Sequence, residues 1–104
     1  MSLKIYTDAL QLVRDMRENV TKITQHDADL GKQLRRALTS VPLNIAEGEW
    51  RRNGNARARF ETAMGSANEV RAILETADAM GYVVADARQV DVLDRIARTL
   101  HKLV

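Results

Sequence analysis

Apolar residues recur along this chain at steps of three and four, the period of a helix with one buried face, in four separate stretches. In the first, residues 3 to about 24, Tyr6, Ala9, Val13, Met16, Val20 and Ile23 form the stripe, and Leu3, Ile5, Leu10 and Leu12 widen it. Lys4, Asp8, Gln11, Asp15, Glu18 and Lys22 take the solvated side. Gln25-His26-Asp27 breaks the pattern, and Asp27 or Asp29 is suited to accept from the free amides that open the next helix. That second stretch runs to about residue 52, with Leu34, Ala37, Leu38, Val41, Ile45 and Gly48 inward. Asn53-Gly54-Asn55 is the clearest turn, because glycine and asparagine tolerate the conformation that ends one helix and asparagine caps the next. The third helix, residues 55 to about 80, turns Phe60, Ala63, Ala67, Val70, Leu74 and Ala77 inward, flanked by Met64, Ile73 and Met80. Gly81 stops it, and Tyr82-Val83-Val84 is an apolar crossing segment placed to cover one end. Asp86 followed by Gln89 reads as a capping box for a last helix whose Val90, Leu93, Ile96, Ala97, Leu100 and Leu103 face the core. Four such helices on short connections predict an all-α, antiparallel up-down-up-down four-helix bundle, with residues 1–104 as one domain.

Two residues interrupt this regularity. Pro42 falls inside the second helix, where its missing N–H and its clash with the carbonyl of Leu38 cost about 3 kcal/mol. A kinked continuous helix is favoured over a break, since Val41 is a poor N-cap for a helix restarting at Pro42. Ser40 bonding back to the carbonyl of Arg36, and Asn44 bonding to its neighbours, would soften the cost. Gly65-Ser66 sits mid-helix at a propensity cost of roughly 1 kcal/mol, which suggests that another backbone approaches Gly65, near Val41 and Pro42. The alternative is an exposed, tolerated glycine.

The stretch from Leu34 to Gly48 also carries surface information. Leu43, Ala46 and Trp50 form a second apolar row opposite the core face, which a monomer would fill with charge. The row predicts an interface between subunits; the alternative is that Trp50 covers the end of its own bundle. Beside it runs a polar stripe of Arg36, Ser40, Asn44, Glu47 and Arg51, of which Ser40, Asn44 and Glu47 read as a structural network between helices. Arg51, Arg52, Arg57 and Arg59 occur without an intervening acid, the densest positive run in the chain, and the helical wheel sets Arg36 on the side of Arg51. Arginine pairs bidentately with phosphate, so these five are candidate nucleic-acid contacts; the alternative is a solvated helix end paired with Glu47, Glu49 and Glu61.

Composition narrows the class further. Apolar residues make up 45% and aromatics only 4%, with one proline, which favours helices over a β-sandwich. Without cysteine there is neither a disulfide nor a thiolate metal site, in keeping with a reducing cytoplasm. The apolar runs are far shorter than the ~20 residues that span a bilayer, so the expectation is a soluble, cytoplasmic chain with no membrane role. Sixteen basic against fourteen acidic side chains give only +2, so attraction for a polyanion has to come from how charge is distributed. His26 and His101 belong to no Glu-x-x-His pair and no glycine loop cradles phosphate. We therefore expect no catalytic residue, no metal, no cofactor and no enzymatic activity.

Gln33-Leu34-Arg35-Arg36-Ala37 followed by Ser40-Val41-Pro42-Leu43-Asn44-Ile45-Ala46-Glu47-Gly48 resembles the signature of the four-helix-bundle proteins encoded in intervening sequences of 23S ribosomal RNA genes. Arg51-Arg52, Phe60, Ala63, Gly65-Ser66, Glu69-Val70 and Gly81-Tyr82 continue the likeness over most of the chain. It departs at the ends, with no tryptophan in the first helix and no proline before Leu34. The resemblance implies an up-and-down bundle assembled as a ring-like homopentamer, without established enzymatic activity. A related group is similar to the accessory protein of diversity-generating retroelements, which binds nucleic acid and a reverse transcriptase. Two readings follow: a homo-oligomer that binds RNA or DNA weakly through repeated arginine patches, or a structural adaptor whose partner is a protein such as a reverse transcriptase.

Overall fold

In a computed structural model, which describes residues 3–50 and 55–104, the chain forms five helical elements and, among the described residues, no strand. They are α1 (Lys4–Asp15), α2 (Arg17–His26), α3 (Ala28–Trp50), α4 (Asn55–Ala79) and α5 (Ala87–His101). No described helix is long and apolar enough to cross a membrane.

The one helix expected over residues 3–24 is two elements. The turn between them is centred on Met16, with φ −94° and ψ 3°, although the Met16 amide still donates to Leu12 (2.9 Å) and its carbonyl accepts from Val20 (3.0 Å). Two contacts hold this turn. Met16 is fully buried, and the Gln89 side chain of α5 donates to the carbonyl of Asp15 at a long 3.4 Å and to Asn19 Oδ1 at 3.0 Å. Gln89 therefore does not reach back to complete a capping box. Asp86 caps α5 by itself, accepting from the Arg88 amide at 2.9 Å. The buried stripe of this region is also centred differently from expectation: Ile5, Ala9, Leu12, Met16 and Ile23 are buried, while Tyr6, Val13 and Val20 lie at its margin.

The core faces of the longer helices match the periodicity. Leu34, Ala37, Leu38, Val41, Ile45 and Gly48 of α3 are all buried, as are Phe60, Ala63, Ala67, Val70, Leu74 and Ala77 of α4. Ile73 adds to α4's buried face, and Leu93, Ile96 and Leu100 supply that of α5. Ala97 and Val90 are only partly buried, and Met80 and Leu103 are exposed. Asp27 Oδ1 accepts from the Leu30 amide (3.0 Å), the expected cap of α3. Gly81, with φ +79°, ends α4: its amide returns to Asp78 and that of Tyr82 to Ala77, closing the last turn in a Schellman motif. Tyr82 stacks on His26 with ring centroids 4.9 Å apart, so the crossing segment is tied to the end of α2, whereas Val84 is 88% exposed and covers nothing.

α3 passes through Pro42 without a break. The hydroxyl that bonds back to Arg35 (2.9 Å) and Arg36 (3.3 Å) is that of Thr39 rather than Ser40. The close approach expected at Gly65 is absent: a Cβ there would meet nothing within 4 Å. It is Gly48 that needs the room, since a Cβ on it would lie 2.5 Å from Phe60 Cε1. Gly48→Ala should therefore force the ring to move, at a cost of about 1–3 kcal/mol, read as a lower urea midpoint in equilibrium unfolding.

Candidate interaction surface on α3 and α4

Three pairs fix how α3 lies along α4. Gly48 abuts Phe60, the hydroxyls of Ser40 and Ser66 are 2.8 Å apart, and Arg36 and Glu69 line one hollow of about 380 Å³ together with Gln33, Ala37, Ser40 and Ser66. Asn44 joins the Ser40–Ser66 bond, its Nδ2 donating to both the carbonyl and the hydroxyl of Ser40 at 2.9 Å. The expected network is thus real for Ser40 and Asn44, but it closes on Ser66, which periodicity gave no reason to single out. Glu47 is half-buried on the same helix and is itself partnered.

The apolar row behaves unevenly. Leu43 is 65% and Trp50 75% exposed, so Trp50 does not cover the end of its own helices. Ala46 is buried within the chain and is not part of an exposed row. The physical reason is rotation: Ala46 sits three residues past Leu43, about 60° short of a full turn, which carries it under the neighbouring helix.

The described arginine candidates, Arg36, Arg57 and Arg59, do not form one patch. Arg51 and Arg52 lie outside the described residues. Arg57 and Arg59 are both exposed, but two residues apart on α4 they point about 160° away from each other. Arg57 pairs with Glu61 at 3.3 Å across an exposed i,i+4 step, while Arg59 has no acidic partner among the described residues. Arg36 is exposed too, but at about 1.5 Å of rise per residue it stands about 21 Å down α3 from Trp50 and the hairpin tip. It belongs to the Ser40–Ser66 hollow instead.

A second concavity escaped the sequence reading. An open groove of about 780 Å³ runs between the α1–α2 turn and the start of α5, floored by Leu12 and Val92. Arg14, Arg17 and Arg88 line it against Asp15, Glu18 and Asp86, an even balance of charge. Gln89 Oε1 is buried at its edge and accepts no hydrogen bond from the protein. The one signal that could have found it is the turn at Met16, which a continuous apolar stripe conceals.

Among the described residues no group of three or more His, Cys, Asp or Glu side chains is placed to hold a metal. What the fold and surface define is an all-helical protein whose distinguishing face is the outer side of α3 and α4. The family model described as 23S rRNA-intervening sequence protein matches residues 1–104, and the chain belongs to that family. No curated protein and no solved structure matches it.

If the Ser40–Ser66 bond joins the two helices as described, each alanine substitution should cost about 0.5–1.5 kcal/mol, and the double substitution less than their sum. Urea unfolding of the four proteins of that cycle measures the coupling.

Proposed function

We propose that the chain is a non-enzymatic homo-oligomer that binds RNA or DNA weakly through arginines repeated around the assembly. The observation that supports assembly most directly is the exposure of Leu43 and Trp50 on one face of a helix whose other face is core. The family's likeness to bundles that assemble as pentameric rings sets the expected order. As the unit of assembly we infer a single-domain, antiparallel four-helix bundle in which α1 and α2 together act as one helix. Its support is the set of level pairs: Asp8 with Arg95 (3.7 Å) and Asn19 with Gln89 between the first and last helices, Arg71 with Asp94 between α4 and α5, and Leu3 with Glu49 between α1 and α3. Between the first and last helices the partner falls from Arg95 to Gln89 as the other residue rises from Asp8 to Asn19, the order of antiparallel neighbours. A bend at Pro42 follows from the donor that Leu38's carbonyl lacks there.

The nucleic-acid contact is assigned to Arg51, Arg52, Arg57 and Arg59 at the α3–α4 hairpin tip, with Arg36 excluded by its distance. Arginines repeated once per subunit give each copy a few weak phosphate contacts, and a ring multiplies them along one strand. A cytoplasmic location goes with this reading.

Two outcomes test the proposal. Replacing Arg51, Arg52, Arg57 and Arg59 by glutamine should abolish binding of single- and double-stranded probes while leaving helicity and oligomer mass unchanged. Wild-type affinity should fall steeply with salt, by about 0.7–0.9 in log K per log unit of salt for each phosphate contacted. No binding by the wild type at low salt would transfer the role to a protein partner. Independently, Leu43→Asp or Trp50→Ala should lower the mass seen by light scattering, and a wild type monomeric at micromolar concentration would refute assembly.

A further inference from the structure

α1 stops at Asp15 and α2 starts at Arg17, yet nothing in the local sequence asks for a stop. Residues 13–19, Val-Arg-Asp-Met-Arg-Glu-Asn, contain neither glycine nor proline. Burial does not ask for one either. On a straight helix, at about 100° per residue, the buried Ile5, Ala9, Leu12, Met16 and Ile23 would fall within about 60° of arc, so an unbroken helix would turn the same five side chains to the core. What the interruption gives up is backbone bonding: the Asn19 amide does not return to the Asp15 carbonyl as it would in one continuous helix. Side chains take its place. The Arg14 carbonyl accepts from Arg17 Nε (3.3 Å) and the Asp15 carbonyl from Gln89 Nε2 (3.4 Å), and of these two donors only Gln89 comes from another helix. The same Nε2 donates to Asn19 Oδ1 at 3.0 Å, so it engages both residues whose mutual backbone bond is missing.

We propose that Gln89 is a latch that holds the joint between α1 and α2 open, and that its release lets the two run as one helix. In the latched position, the one in the structure, the Gln89 amide stands in for the Asn19 N–H on the Asp15 carbonyl, the insertion into the helical ladder that interrupts a helix without proline. In the released position Asn19 closes that bond and the core is unchanged. The two positions lie close in free energy, because the latch gains little: one of its two bonds is long, and Gln89 Oε1 is left buried without a hydrogen bond from the protein. The groove of about 780 Å³ lies across the joint, with Arg14 and Asp15 from α1, Arg17 and Thr21 from α2, and Gln89 itself from α5. Its shape therefore changes with the latch, and a molecule that fits it in one position holds the chain there. Neither the oligomer nor the arginine tip is needed for this device to work.

Gln89→Leu keeps bulk at a half-buried site and removes the amide. In the full chain it should slow hydrogen exchange of the Asn19 amide at least tenfold, move the Cα chemical shifts of Asp15, Met16 and Arg17 to those of a continuous helix, and raise the helicity seen by circular dichroism. A residue that merely stabilised the fold would act in the opposite direction, its loss speeding that exchange and lowering helicity. Should the leucine variant fail to fold, Gln89→Ala, a truncation to the best helix former, is read by the same three measurements. An Asn19 amide that exchanges as fast as in the wild type, or faster, in the folded variant overturns the latch.

Discussion

The ring of Phe60 lying against the bare backbone at Gly48 sets the separation of α3 and α4, and much of the structure follows from that separation. With a side chain at position 48 the ring would stand off by more than an ångström, and the small alanines that line α4's buried face, Ala63, Ala67 and Ala77, would no longer reach across. The same closeness allows two short serine hydroxyls, Ser40 and Ser66, to touch directly. A longer polar pair at that point would signal a wider gap. Small residues on both helices therefore replace volume with proximity, and the dispersion contacts that large side chains would have provided are made by backbone and methyl groups.

Helix existence and the inward faces of α3, α4 and α5 were legible because a repeat of three and four sustained over twenty residues admits one secondary structure and one buried side. Local chemistry was read less well. Periodicity set Gly48, near the end of α3, on the inward face, but the mid-helix cost of Gly65 drew the expected close approach there; only the pairing of α3 with α4 shows that it is Gly48 that meets an aromatic ring. Gln89 stands three residues after an Asp at a helix start, the spacing of a reciprocal cap, yet its amide is drawn to Asp15 and Asn19 because the first helix passes within reach. Local motifs of this kind lose to tertiary partners when both compete for one side chain.

The candidate surface shows the same limit from another side. A helical wheel correctly set Leu43 and Trp50 opposite the core, but it added Ala46, since a wheel cannot tell solvent from a neighbouring helix. The wheel also united Arg36 with Arg51, because it discards height along the axis, and height is what separates the hollow from the hairpin tip. The run Arg57-Ala58-Arg59 looks like one patch as text and becomes two divergent side chains once it is helical.

Several exposed ions on this chain have a local answer. Lys4 has Asp8, Arg57 has Glu61 and Arg71 has both Glu75 and Asp94. Exposed pairs of this type contribute little stability, about 0–1 kcal/mol each, but they neutralise the field that would otherwise extend from the surface. Arg59 near the tip and Arg36 opposite Glu69 are among the ions without an ion-pair partner in the described residues, and their surroundings differ. Arg59 adjoins further arginines in the sequence and no unpaired acid, which suits a polyanion. Arg36 faces Glu69 across the hollow. The near-neutral total of +2 therefore averages over ions in different surroundings, and says little about any one face.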